Sequence, residues 1–206
     1  MSIDAKIVKT LRDRTGAGMM DCKKALVETN GDLESAVDYL RKTGIAKAEK
    51  KGQRSTKEGL IFSYIHQGGK LGVLLELNCE TDFVANTDDF KDLSKDIAMH
   101  IAASSPISVS RDGIPENIVQ REKEIYADQA RQSGKPEEII EKMTEGRLNK
   151  FYQENVLLEQ AFVKNPDQTI ENLLNDTIST LGENIEIKRF SRFQLGELFK
   201  KDENSE

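Results

Sequence analysis

The chain has 206 residues, enough for one or two domains with a sizeable core. Charged residues make up 32% of it, and no run approaches the roughly 18 consecutive apolar residues of a membrane-spanning helix. The formal charge of −6 disfavours a grip on nucleic acid, which relies on many Lys and Arg neutralising phosphates, and points instead to a protein partner.

The opening segment Met1-Ser2-Ile3-Asp4-Ala5-Lys6 lacks the basic start and apolar block of a secretory signal, so a cytoplasmic location with reduced thiols is expected. Cys22 and Cys79 fall in different expected units, and neither they nor His66 and His100 show paired metal-ligand spacing. No disulfide framework, metal site or cofactor is expected.

Ile3, Ile7, Val8 and Leu11 repeat at helical spacing up to the break at Thr15-Gly16-Ala17-Gly18. A second helix carries Met20, Ala25 and Leu26 and ends at Asn30-Gly31, after which Asp32 can cap a third with Leu33, Ala36, Val37 and Leu40 inward. Residues 1–43 thus read as a three-helix bundle. Residues 44–56, rich in Ala and Lys with Lys47, Lys50, Lys51 and Arg54, read as a helical or mobile linker whose charge faces water.

Residues 57–199 read as an α+β core. Leu60 to His66 alternates as a strand, Gln67-Gly68-Gly69-Lys70 supplies a turn, and Leu71, Val73, Leu75, Leu77 and Cys79 share one apolar face of the next strand. Phe90, Leu93, Ile97 and Ile101 mark a helix over 88–104. Two charged helices at about 115–152, broken at Ser133-Gly134-Lys135-Pro136, predict a projecting hairpin with a seam of Ile118, Ile125, Ile139, Ile140 and Met143. A short extended piece at Ala161-Phe162-Val163, a helix over 169–181 and a strand over 184–193 with Ile185 and Ile187 inward complete the small antiparallel sheet. Residues 200–206 read as a polar tail.

Little in the chain carries covalent chemistry. Gly16-Ala17-Gly18 with Lys23-Lys24 lacks the spacing of a phosphate-binding loop, and no strand precedes it, so direct nucleotide binding is not expected. Cys79, His66 and Asp82 could gather as nucleophile, base and orienter, yet Cys79 shares its face with Leu75 and Leu77 and reads as a buried, inert thiol. Phe83 follows the strand in Thr81-Asp82-Phe83-Val84. It can turn inward to cap the next helix or stand out as a wedge, and the residues alone leave both open.

Thr15-Gly16-Ala17-Gly18-Met19-Met20-Asp21-Cys22-Lys23-Lys24-Ala25-Leu26 and Thr81-Asp82-Phe83-Val84-Ala85 together closely resemble the translation elongation factor Ts family. Ile97-Ala98-Met99-His100-Ile101-Ala102-Ala103-Ser104, Gln132-Ser133-Gly134-Lys135-Pro136 and Phe193-Gln194-Leu195-Gly196-Glu197 extend the likeness from about Ile3 to Glu197. The resemblance implies a guanine nucleotide exchange factor that binds elongation factor Tu, speeds GDP release and performs no covalent catalysis. It implies that the bundle, of a ubiquitin-associated (UBA-like) type, contacts the GTPase through Met19, Met20 and Lys23, with Lys51 in the linker. Thr81, Asp82, Phe83 and Val84 match the family's partner-binding motif, in which Asp82 and Phe83 are the pair that reaches the region near the bound magnesium ion, and His100 and Val163 match further core contacts.

This chain departs from longer members, in which two core halves carry these motifs separately; here one half carries both, so a homodimer is expected. Lys164 and Asn86 also stand where the family often has an apolar and a basic residue. The competing reading is an interaction module, a UBA-like binder on a dimerisation core, without exchange activity. A third, RNA binding through the basic linker, lacks interleaved stacking aromatics.

Overall fold

Three amphipathic helices open the computed structural model, which describes residues 3–132 and 134–197. Helix α1 (Ala5–Thr15) starts where the Asp4 carboxylate accepts the Lys6 N–H and stops at Gly16, whose left-handed backbone (φ 68°) lets its N–H reach the Arg12 carbonyl. Helices α2 (Met19–Glu28) and α3 (Leu33–Lys51) close with it over Val8, Leu11, Cys22, Ala25, Leu26 and Ala36. Asp32 caps α3 by accepting the Ser35 N–H at 2.7 Å. Cys22 rather than Met20 fills the bundle core, because positions 22, 25 and 26 share one helical face.

The main sheet is antiparallel, with β2 (Leu71–Cys79) between β1 (Glu58–Ile65) and the final strand β5 (Ile185–Gln194). Its inner face presents Val73, Leu75, Leu77 and Cys79, all buried, against the single-turn helix α4 (Asp82–Ala85) and the long α5 (Asp88–Ser104). Phe90, Leu93, Ile97 and Ile101 of α5 complete that core.

β5 contains an irregularity the alternation does not reveal. Glu76 pairs with Arg189 and Leu77 with Ile187, leaving Lys188 as an extra residue. Ile185 and Ile187 point inward before this bulge, but beyond it the phase reverses and Phe193 reaches the outer face.

Helices α6 (Glu116–Arg131) and α7 (Glu137–Asn155) form the hairpin, whose turn residue Ser133 lies outside the described residues. Ala130, Ile140 and Thr144 are buried along it, and Ile114, Phe151 and Val156 anchor its base. Ile125 and Ile139, expected in the seam, are exposed. Ile139 is one residue, or about 100°, off the stripe of 140, 144 and 151. The short pair β3 (Ala161–Phe162) and β4 (Asn165–Thr169) then leads into α8 (Ile170–Leu181).

The third helix does not end near Lys42. It continues to Lys51, so most of the expected linker is helix packed on α8. Gly44 permits the approach: a Cβ there would stand 3.0 Å from Ser179 Oγ, and the Ser179 hydroxyl donates to the Gly44 carbonyl at 3.2 Å. Ala48 follows one turn later in the main core. The architecture is α+β, with the helical bundle docked on a small helix-covered sheet. The expected tail at 200–206, and residues 198–199 of the core, lie outside the described residues.

Candidate functional site

A four-residue helix has too few internal hydrogen bonds to hold its own direction, so α4 depends on its surroundings. Thr81 caps its start, accepting the Val84 N–H on Oγ1 at 3.4 Å. Its end is closed twice: the Asn86 amide donates to the Asp82 carbonyl at 2.9 Å, and the Thr87 hydroxyl to the Val84 carbonyl at 2.7 Å. Val84 and Ala85 are buried in the main core. Phe83 points the other way and is 79% exposed, so the inward-capping alternative does not hold. Val84 was expected to touch a partner, but alternate faces of one turn make it the anchor of α4.

The segment before α4 is tied across the molecule. Glu183, in the turn between α8 and β5, accepts the Thr81 N–H on Oε2 at 3.0 Å and the Thr81 hydroxyl on Oε1 at 2.6 Å. Glu80 returns the contact by accepting the Asn184 N–H at 2.6 Å. Arg54 lies 3.5 Å from Glu80, and the Asn184 side chain donates to the Arg54 carbonyl at 2.8 Å. Sequence reading missed Glu183, since no local pattern pairs it with a residue 102 positions away.

The α2 surface is apolar and basic. Met19 and Met20 are 45% and 76% exposed, and Lys23 beside them is exposed too. Lys47 joins α3 to α2 through Asp21 at 2.7 Å. Lys51 is turned inward: its ammonium donates to the Ile178 carbonyl at 3.2 Å, near the C-terminal end of α8. Burial, with Arg54 and Lys47 nearby, pushes its pKa below the ordinary lysine value.

His100 has no exposed surface, which corrects its expected place as a direct contact. It shares the inward face of α5 with Ile97, Leu93 and Phe90, three, seven and ten residues back. Its Nδ1 accepts the Val163 N–H at 3.3 Å, and its Nε2 faces Gln160 Oε1 at 2.9 Å. Val163 itself is 43% exposed at the β3–β4 turn, where Lys164 pairs with Asp96 at 2.5 Å. His100 therefore fixes the backbone that carries the exposed Val163. It lies roughly 20 Å along α5 from Thr87, so Val163 and Phe83 form separate patches.

The remaining reactive group is quiet. Cys79 is buried and donates to the Thr81 carbonyl at 3.1 Å, and burial, reinforced by the charge of Glu183, pushes its pKa up to about 11. Among the described residues no three His, Cys, Asp or Glu side chains gather in a metal-binding group, and no helix is long and apolar enough to cross a membrane. A further apolar area covers the outer face of the sheet, where Ile65, Leu74 and Phe193 surround Gly72 and all three are exposed.

Met19, Met20, Phe83 and Val163 are apolar side chains held outward, in separate patches, on an α+β scaffold. The family model described as Elongation factor TS matches residues 6–197. The chain is 61% identical to Elongation factor Ts of Geobacter sulfurreducens over 204 residues, covering 99% of this chain and 94% of that protein. It is 59% identical to Elongation factor Ts of Fervidobacterium nodosum over 197 residues and 58% identical to that of Syntrophus aciditrophicus over 201, in each case spanning 100% of the relative. The chain belongs to the elongation factor Ts family and is a translation elongation factor.

Proposed function

We propose that this protein is a cytoplasmic guanine nucleotide exchange factor for elongation factor Tu, promoting GDP release without covalent chemistry. The observation that carries the reading is Phe83, exposed on a helix turn capped at both ends and anchored by Val84. GDP in such a GTPase is held by a phosphate-binding loop, its lysine and Mg²⁺, so an exchange factor must favour the conformation in which these no longer converge. A preorganised aromatic beside an acid, here Phe83 and Asp82, can occupy that conformation without first losing its own freedom.

Phe83 does not act alone. An acceleration of about ten-thousandfold requires roughly 5.5 kcal/mol, whereas burying one Phe contributes about 1.5–3 kcal/mol. Met19, Met20 and Lys23 on α2 supply a second contact with the nucleotide domain, and Val163, held by His100, a third. Lys51 serves this surface by fixing α3 on α8. The homodimer expected from the single core half has a surface to match, the exposed sheet face around Gly72, which a second copy would cover.

Linkage provides the test. Bound GDP must weaken the protein's affinity for elongation factor Tu by the same factor that the protein weakens GDP binding. Titration of nucleotide-free and GDP-loaded elongation factor Tu should give affinities that differ by that factor; equal affinities would overturn the proposal.

A further inference from the structure

We infer that Glu183 is the positioning residue that aims the Phe83 wedge, an inference that rests on the exchange function proposed above. Thr81 has four hydrogen-bonding functions, and each is used. Its carbonyl accepts the Ala85 N–H at 3.3 Å and the Cys79 thiol; its hydroxyl oxygen accepts the Val84 N–H. The two remaining donors, N–H and O–H, both go to the Glu183 carboxylate. The N–H bond fixes the peptide plane entering α4, and the O–H bond fixes the rotamer that caps it. Two bonds to one ionised acceptor are stronger and more directional than neutral ones. Val84 and Ala85 hold the depth of the turn, but apolar packing is non-directional and does not by itself set rotation about the α4 axis. Glu183 supplies that direction.

Glu183 is itself held. Gly182 carries the chain out of α8 with φ 83°, a left-handed conformation that L side chains rarely adopt, and Asn184 next to it is fixed on both sides by Glu80 and the Arg54 carbonyl. Lys51 and Arg54, at and just beyond the end of α3, reach this same corner. The clamp therefore joins the wedge to the helix that carries the bundle.

The test is stimulated release of labelled GDP from elongation factor Tu by the full chain and its Phe83→Ala, Glu183→Gln and double variants. Glu183→Gln should slow release at saturating factor by about tenfold, with the half-maximal concentration changed less than about twofold. The double variant should be no slower than Phe83→Ala alone. Thr81→Val, which removes the hydroxyl from the other side of the clamp, should reproduce the loss if Glu183→Gln proves unstable, and Thr81→Ser should restore it. Wild-type rates in both Glu183→Gln and Thr81→Val, or a double variant slower than Phe83→Ala by the full factor, would overturn the assignment. Wild-type speed in Phe83→Ala would instead remove the wedge itself, and the assignment with it.

Discussion

The Val163 N–H donates to His100 Nδ1, and this one bond decides which nitrogen of a fully buried ring carries the proton. With Nδ1 an acceptor, Nε2 is the protonated nitrogen and donates to Gln160, whose amide donates onward to the Glu154 carbonyl at 2.7 Å. A second proton on the ring would set two donors against each other at Val163.

Acid should therefore weaken this corner of the fold. Burial pushes the His100 pKa below its ordinary value, opposed by the bond to Gln160. Below about pH 6.5 the unfolded chain binds a proton that the folded state refuses. The stabilisation is thus complete above that pH and is lost as pH falls toward the lowered folded value. The gap in melting temperature between wild type and His100→Gln should narrow from about pH 7.5 to about pH 5, and a constant gap would contradict the assignment.

Neighbouring residues of α4 should behave in opposite ways. Phe83→Ala leaves no cavity, so its melting temperature should stay within about 2 °C of wild type while exchange slows. Val84→Ala removes buried methyl groups and should cost about 1–3 kcal/mol, seen as a fall of several degrees on thermal unfolding.

Cys79 should resist alkylation. A thiol with a pKa of about 11 is only about one part in a thousand thiolate at pH 8, and it is buried as well. Mass spectrometry after iodoacetamide treatment should find Cys79 labelled only when denaturant is present; rapid labelling of the native protein would mean an open, activated thiol.

Much of this could be read from the residues, because the informative patterns are local. The alternation of Val73, Leu75, Leu77 and Cys79 gave the buried strand face, and Phe90, Leu93, Ile97 and Ile101 gave α5. What escaped depends on distant contacts or on one-residue phase. The extra residue at Lys188 changes no local composition, yet it turns Phe193 outward. The course of α3 beyond Gly44 rests on Ser179, and the aim of α4 on Glu183. The position of His100 is legible in principle, since its spacing from Ile97 and Leu93 already places it inward.

The sheet face gives an independent check on assembly. Leu74→Glu places a charge beside Ile65 and Phe193 on the outer surface, so it should leave folding nearly unchanged and convert a dimer to a monomer in sedimentation. A wild-type protein that sediments as a monomer at micromolar concentration would remove the dimer.

The most direct measurement is the rate at which fluorescent GDP leaves elongation factor Tu as this protein is added, followed by stopped flow for wild type and Phe83→Ala. Strong acceleration by the wild type and a much weaker one by Phe83→Ala is the predicted result. Binding without acceleration, or equal acceleration by both folded proteins, would contradict a wedge-driven exchange mechanism.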